Sequence, residues 1–205
     1  MTKDLNEKTV IVTGAGKGIG RATCLMLAEL GANVVAISRT ASDLESLKSE
    51  TGCETHSFDI ANSAELRNVV RRVSSADGLV NCAGINILEP FLEVNEEAFD
   101  LVYAINTKAA MVAAQEFSKS LIAANRSGAI VNVSSISSFV GFADHTSYCA
   151  SKGAMDAMSR VIANELGRYG IRVNCINPIV TMTELAAEAW SDPVKSSPIL
   201  SRVPV

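Results

Sequence analysis

The stretch TVIVTGAGKGIGR, residues 9–21, places a run of β-branched residues directly before four glycines and the start of an amphipathic segment. The run predicts a buried strand, and the glycines after it let the backbone turn sharply and approach a ligand. At the start of the following helix, free N–H groups and the helix dipole favour a phosphate. The glycines do not fit Gly-x-Gly-x-x-Gly, since Ile19 or Arg21 falls at the third glycine, but they fit Thr-Gly-x-x-x-Gly-x-Gly. We therefore expect a dinucleotide to bind at Gly14, Lys17, Gly18, Ile19 and Gly20.

Beyond this loop, short β-branched runs alternate with segments whose apolar residues recur at helical spacing. The runs predict six strands, at residues 9–13, 33–38, 55–60, 78–83, 129–135 and 171–177. Helices are predicted at residues 18–30, 41–50, 63–73, 96–124 and 147–168. Strands that are apolar nearly throughout, each followed by a helix, indicate an α/β fold with a doubly wound parallel sheet. We expect one domain over residues 1–205, in which 178–205 form a loop-rich region with one short helix near 183–190.

Composition and charge narrow the possible partners. The chain has 205 residues, 48% of them apolar and 20% charged, with a net charge of −4 and no basic block. Nucleic acid and anionic membrane surfaces are therefore not expected as partners. No apolar run could span a bilayer, and no secretory signal is visible. The five cysteines form no Cys-x-x-Cys pair and the two histidines lack ligand-like neighbours, so we expect a reducing, cytoplasmic location and no metal site.

The residues that end the second predicted strand bear on cofactor choice. A site specific for NAD usually carries Asp or Glu there, to hold the ribose 2′-hydroxyl. This chain has Ser38, Arg39 and Thr40, with Lys17 in the glycine loop. A guanidinium can pair with a 2′-phosphate that a carboxylate would repel, so NADP(H) is expected. The alternative is that Arg39 is an ordinary exposed charge.

The stretch TSYCASKGA, residues 146–154, sets a tyrosine four residues before a lysine among small residues. On a helix, Tyr148 and Lys152 share one face and lie one turn apart. Either a helix packs closely here and the pair is incidental, or the small residues leave room for a ligand beside two titratable groups.

Taken together, these features resemble the short-chain dehydrogenase/reductase family over essentially the whole chain. The marks occur in order: TGAGKGIG at 13–20, FDI at 58–60, NCAG at 81–84, Asn106 in YAINTKAA, Ser135 ending IVNVSS, the Tyr-Lys pair, and GIRVNCINP at 170–178. Two positions depart from the family pattern. Cys82 replaces an Asn, and Ile179 stands where many members have Gly.

The resemblance implies a Rossmann-type sheet with strand order 3-2-1-4-5-6 and further contacts to the cofactor. The implied contacts are Asp59 and Ile60 at the adenine, Asn81, Ala83 and Gly84 in the NCAG element, and Pro178, Val180 and Thr181 beside the nicotinamide.

The resemblance also implies the catalytic roles. Tyr148 would be the acid/base, with its pKa of about 10 lowered by roughly three units through the charge of Lys152, which would also hold the nicotinamide ribose. Ser135 would polarise the substrate oxygen. Asn106 would kink the long helix and anchor a water that connects Lys152 to solvent. The alternatives are a strand-end turn for Ser135 and a helix residue satisfying its own backbone for Asn106.

Within the family, ISRT, PFLEV, EAFD and WSDP resemble reductases of small ketoses and α-dicarbonyls, which would place His145 and Trp190 at the substrate. The alternatives are another family reductase, acting on 3-oxoacyl or steroid substrates, and an inactive cofactor-binding partner subunit. The family implies a homo-oligomer, usually a tetramer. Family members continue past the equivalent of residue 205 through another helix and a seventh strand. We therefore expect a chain that keeps the chemistry but has lower stability, weak activity and an incomplete tetramer.

Overall fold

A computed structural model describes residues 5–201. Its strands are β1 Thr9–Thr13, β2 Asn33–Ser38, β3 Glu54–Ser57, β4 Gly78–Asn81, β5 Gly128–Val133 and β6 Ile171–Ile176. Within this range they form one parallel sheet of six strands in the order β3-β2-β1-β4-β5-β6. The predicted fold class and strand order are confirmed.

Helices connect the strands and cover both faces of the sheet. They are α1 Gly18–Glu29, α2 Ala41–Thr51, α3 Ser63–Arg72, α4 Glu96–Tyr103, α5 Ala109–Ala123, α6 Thr146–Leu166, α7 Glu184–Trp190 and α8 Pro193–Leu200. A π-helical turn, Ala104–Lys108, joins α4 to α5. On β1, Val10 and Val12 pack with buried residues of α1 and α2, whereas Ile11 packs with those of α3 and α5. The alternation of a strand thus separates two apolar layers, one on each face.

The strand register brings the carboxyl ends of the central strands to one edge. Thr13 at the end of β1 pairs with Ile37 on β2 and with Asn81 on β4. Asn81 in turn pairs with Asn132 on β5. The chain order reverses between β1 and β4, and ligands of such sheets bind in the crevice at that point.

Three elements differ from the sequence prediction by more than two residues at an end or in kind. The third strand ends at Ser57 and not at residue 60, because the Asp59 carboxylate accepts the Ala61 N–H at 2.9 Å and turns the chain towards α3. The continuous helix that apolar periodicity predicts over 96–124 is interrupted by the π-helical turn, at Asn106, where the resemblance implies a kink. The region after Pro178 holds a second helix, α8, which begins at Pro193. None of the helices in residues 5–201 has the length and hydropathy needed to cross a membrane.

Candidate active site

A cleft of about 610 Å³ opens at the carboxyl edge of the sheet, above β1, β2, β4 and β5. It is lined by twenty of the residues that the sequence singled out: Gly14, Lys17, Gly18, Ile19, Gly20, Ser38, Arg39, Thr40, Asp59, Ile60, Ala83, Gly84, Ser135, His145, Tyr148, Lys152, Pro178, Val180, Thr181 and Trp190. Asn81 and Asn106 do not line it. The fold therefore brings residues from nearly the whole length of the chain to one cavity.

The glycine loop forms one wall of the cleft and lies against the end of β4. Gly14 has φ +67°, and a Cβ on it would lie 2.7 Å from the backbone of Ala83. The Thr13 hydroxyl accepts the backbone N–H groups of Cys82 at 3.1 Å and Ala83 at 3.2 Å. A Cβ on Gly20 would collide with the Gly14 carbonyl. Side chains are thus excluded where β1 meets β4, and the first turn of α1 stays open to the cleft.

The rim near the end of β2 carries charges of both signs. Arg39 and Lys17 are the predicted cations, and Arg39 is exposed. Lys17 Nζ lies 2.8 Å from Glu184 Oε2 on α7, and this hydrogen bond raises the pKa of Lys17. Asp43 on α2 also lines the rim. The sequence argument missed the carboxylates of Glu184 and Asp43, because nothing in the spacing of the sequence links either residue to Lys17.

Tyr148 and Lys152 lie in the first two turns of α6, with Ser135 opposite them after β5. Lys152 Nζ is 5.5 Å from the centre of the Tyr148 ring and donates to the Val133 carbonyl at 2.8 Å. The Lys152 side chain is buried, and this burial lowers its pKa to about 8. The small residues around the pair therefore do accompany a ligand-sized cleft, and the lysine sits at its floor.

The direction of the Tyr148 pKa differs from the sequence expectation. Burial raises it, and a hydrogen bond with Ser135 offsets only part of the rise. The expectation rested on the positive charge of Lys152. In the structure the lysine ammonium lies over the ring, 5.5 Å from its centre, and donates to Val133, while desolvation of the phenol is the largest effect on the Tyr148 pKa.

Asn106 lies in the π-helical turn and is completely buried. Its amide donates to the Ile85 carbonyl and to Ser151 Oγ, both at 3.0 Å, and its oxygen accepts the Ile85 N–H at 2.8 Å. The side chain therefore does not satisfy its own helix. It joins the segment after β4 to α6 at the residue before Lys152, and the predicted irregularity of the long helix is present at this point.

The side chain of Asn81, which the resemblance places at the cofactor, lies beneath the cleft and does not line it. It is 3% exposed and donates to Asn132 Oδ1 at 2.8 Å, while Asn132 donates to Ser159 Oγ at 2.7 Å. The Asn81 amide therefore faces β5 and α5, and Asn132 continues the connection from β5 to α6.

The far end of the cleft is aromatic. The ring of His145 stacks on Trp190, with centroids 5.7 Å apart and planes inclined by 29°. Phe142 packs edge-on against both rings, and Tyr148 lies 6.3 Å from the His145 ring. His145 Nδ1 lies 2.7 Å from the Ala143 carbonyl, an acceptor, so Nδ1 carries a hydrogen, and in the neutral imidazole Nε2 is the acceptor. The sequence argument missed Phe142, because this residue lies in a loop whose apolar residues follow neither the helical nor the strand period.

The remaining wall is the segment that follows β6. The Pro178 carbonyl accepts the Ile136 N–H at 3.0 Å, which fixes this segment beside Ser135. Thr183 Oγ1 accepts the Ala186 N–H at 3.2 Å and so caps α7. Within residues 5–201, no three His, Cys, Asp or Glu side chains group closely enough to hold a metal ion.

Comparison with known proteins agrees with this architecture. Residues 8–194 match the family model described as short chain dehydrogenase. The chain is 45% identical to L-xylulose reductase of Mesocricetus auratus over 206 residues, which cover 100% of this chain and 84% of the relative. It is 43% identical to D-erythrulose reductase of Gallus gallus over 199 residues, covering 97% and 81%.

A solved structure extends the likeness to three dimensions. It is described as a putative NAD(P) dependent gluconate 5-dehydrogenase from Beutenbergia cavernae with bound NADP, and it superposes with a TM-score of 0.93 at 32% identity. The match covers 98% of this chain and 83% of that one. On the sequence match, the fold and the relatives, this chain belongs to the short-chain dehydrogenase family and is an oxidoreductase of carbonyl and CH–OH groups.

Proposed function

We propose that this chain reduces small ketoses and α-dicarbonyls with NADPH. The observation that carries the proposal is that Ser135, Tyr148 and Lys152 line the same cleft as the glycine loop. The relatives named L-xylulose reductase and D-erythrulose reductase act on ketoses by their names, which supports this substrate class.

The cleft fits a dinucleotide. Close backbone approach at Gly14 and the open first turn of α1 suit a pyrophosphate, and Lys17 and Arg39 suit a 2′-phosphate. Bound there, NADPH supplies the hydride. The other residues proposed to hold it are Gly18, Ile19, Gly20, Ser38, Thr40, Asp59, Ile60, Ala83, Gly84, Pro178, Val180 and Thr181.

Tyr148 is proposed to give the proton. Its raised pKa keeps the phenol protonated at neutral pH, which is the form that can donate to a carbonyl oxygen during reduction. The phenolate left behind needs a positive charge nearby, and Lys152, with a pKa of about 8, is mostly protonated at neutral pH. Ser135 Oγ accepts the Ser137 N–H at 3.1 Å and also hydrogen-bonds Tyr148, so the two hydroxyls meet at one point of the cleft, where a substrate oxygen could bind both.

The aromatic end of the cleft supports a small polar substrate. Trp190 and Phe142 close the space around His145, and the Nε2 lone pair of this histidine can accept a substrate hydroxyl. We therefore propose that His145 and Trp190 contact the substrate. A homo-oligomer and a cytoplasmic location stay predictions. For the oligomer, the exposure of Leu101, Tyr103 and Val161 on α4 and α6 gives support.

The test is reduction of L-xylulose and diacetyl by residues 1–205 with NADPH, for the wild type and for Tyr148→Phe. Loss of the proton donor should lower kcat by about 100-fold or more, while the Kd for NADPH stays within about two-fold. Tyr169→Phe is the matched control, because Tyr169 is an exposed phenol that does not line the cleft.

Retention of most of the turnover by Tyr148→Phe would disprove the proton-donor role. Tight NADPH binding by a wild type that reduces neither compound would favour the inactive partner subunit. Turnover of an acetoacetyl thioester or a 3-ketosteroid, without turnover of the two small carbonyls, would show that the substrate is a 3-oxoacyl compound or a steroid and not a small ketose.

A further inference from the structure

A buried carboxylate lies behind the catalytic lysine and has no part in the mechanism above. Asp156 follows Lys152 by four residues on α6, so the two share one face of the helix. Asp156 is 6% exposed, and burial of a carboxylate costs free energy unless hydrogen bonds or charges compensate.

Asn177, which directly precedes the segment beside the nicotinamide site, compensates one of the two Asp156 oxygens. Asn177 Nδ2 donates to Asp156 Oδ2 at 3.0 Å, and the same nitrogen lies 3.1 Å from the Ser135 carbonyl and 3.0 Å from Ser138 Oγ. Ser138 Oγ in turn donates to the Ser135 carbonyl at 2.8 Å. The backbone of Ser135 is therefore connected to Asp156 through Asn177.

Asp156 also supplies charge to the site. Four titratable groups bear on the charge of Lys152: Tyr148, whose ring centre lies 5.5 Å from Nζ, Asp156 one turn further along α6, Cys82 after β4, and Cys175 on β6. Burial raises the pKa of both thiols, that of Cys82 to about 11, and burial raises the pKa of Tyr148, so these three are neutral near pH 7.

The carboxyl of Asp156 behaves differently. Burial acts to raise its pKa, but hydrogen bonding, including the bond from Asn177 Nδ2, outweighs this and lowers it. Of the four groups, Asp156 is therefore the one that is ionised near pH 7. Its negative charge opposes the desolvation that lowers the pKa of Lys152.

We propose that Asp156 is a positioning residue that acts in two ways, holding Ser135 and the segment after Pro178 through Asn177, and keeping Lys152 positively charged. This inference deepens the proposed function. The kcat measurements that test it rest on that function, whereas the measurement of Lys152 ionisation does not. A purely structural anchor would share the hydrogen bonds but would leave the ionisation of Lys152 unchanged.

Three variants separate the two actions. Asp156→Asn keeps an oxygen that can accept from Asn177 but removes the charge, so the ionisation of Lys152 should move down by about one pH unit. Asn177→Ala breaks the connection and keeps the charge, so kcat should fall about 10- to 100-fold without a shift of the pH profile. Asp156→Ala should show both effects. Asp100→Asn, an exposed aspartate on α4, is the control and should show neither.

The ionisation is measured directly, by NMR titration of the chain labelled with [ε-¹³C]lysine, with the Lys152 resonance assigned by Lys152→Arg. This readout does not need turnover, so it stays decisive if the wild type reduces neither L-xylulose nor diacetyl. Far-ultraviolet circular dichroism shows whether each variant is folded. An unshifted Lys152 titration in folded Asp156→Asn would overturn the charge role. If Asp156→Asn does not fold, unchanged turnover of Asn177→Ala would overturn the positioning role.

Discussion

The ammonium of Lys17 lies 2.8 Å from the carboxylate of Glu184, so the glycine loop is joined directly to the first turn of α7. The neighbouring residues are also close, since a Cβ on Gly18 would lie 3.0 Å from Thr183 Cγ2. The lysine proposed to bind the 2′-phosphate of NADPH thus already has an anionic partner. A bound 2′-phosphate and Glu184 would compete for the same ammonium.

This competition predicts that Glu184→Gln binds NADPH more tightly. Both side chains of the ion pair are largely exposed, so the gain should be modest, about two- to five-fold in Kd. The Kd for NADH, which lacks the 2′-phosphate, should not change. Fluorescence titration at low salt measures both constants, and the difference should shrink at 0.5 M salt, because screening weakens the exposed pair. Glu165→Gln, on the exposed surface of α6, is the control. Equal gains for NADPH and NADH would contradict the competition.

From the position of Arg39 we predict a preference for NADPH over NADH. The wild type should bind NADPH more tightly than NADH, because the guanidinium at the end of β2 can pair with the 2′-phosphate. Arg39→Asp should weaken NADPH binding by about ten-fold or more and swing the preference to NADH, whose ribose hydroxyls a carboxylate can accept. Arg72→Asp makes the same change of charge on the exposed surface of α3 and should leave the ratio unchanged. Tighter binding of NADH by the wild type would refute the role of the 2′-phosphate.

The sequence predicted the regular parts of this molecule best where a pattern is local. The strands at 9–13 and 33–38 have the predicted bounds, because each is a continuous β-branched run followed by a glycine loop or a polar turn. The helix α8 was missed, although Asp192 before Pro193 is a usual start of a helix and Asp192 Oδ1 accepts the Val194 N–H at 2.8 Å.

The sequence predicted which residues belong to the site better than it predicted which partners those residues bind. Helical spacing placed Tyr148 beside Lys152, and the resemblance to the family added Ser135 to them. It could not show that the Asn81 side chain is directed at β5 and α5 and does not line the cleft, since both positions are compatible with the end of a strand. The partners of Lys17 and Asp156 come from segments distant in the chain, and only the folded backbone brings Glu184 and Asn177 to them.

Asn106 should be indispensable to the shape of the site. Asn106→Ala removes three buried hydrogen bonds and leaves the Ile85 N–H without its acceptor, which we expect to cost about 2–4 kcal/mol of unfolding free energy. Because its amide also binds Ser151, next to Lys152, kcat should fall as well. Urea denaturation and steady-state kinetics measure the two effects, with the exposed Asn68→Ala on α3 as the control. Normal stability of Asn106→Ala would show that these hydrogen bonds contribute little.

Glu116, which lies away from the active site, is expected to make part of the free energy of unfolding depend on pH. Its carboxylate on α5 is 3% exposed and accepts from Arg67 at 2.6 Å and Arg71 at 2.9 Å on α3, and from Lys119 at 3.1 Å. The hydrogen bond from Arg71 is the main cause that lowers the pKa of Glu116 from 4.5 to about 2. The folded state therefore binds its proton less readily than the unfolded state does. The stabilisation is complete above about pH 4.5 and is lost as the pH falls through 2.

Glu116→Gln should consequently unfold more easily at pH 7, by about 1–2 kcal/mol, a figure kept small because the three cations are partly exposed to solvent. The gap to the wild type should shrink by more than half between pH 7 and pH 3, since the wild-type carboxylate gains its proton on unfolding over that range. Urea denaturation followed by circular dichroism at both pH values measures the gap. Glu165→Gln removes an equal but exposed charge and should follow the wild type at both pH values. A gap that stays constant down to pH 3 would mean that the packing of the Gln side chain, and not the lost charge, explains the difference.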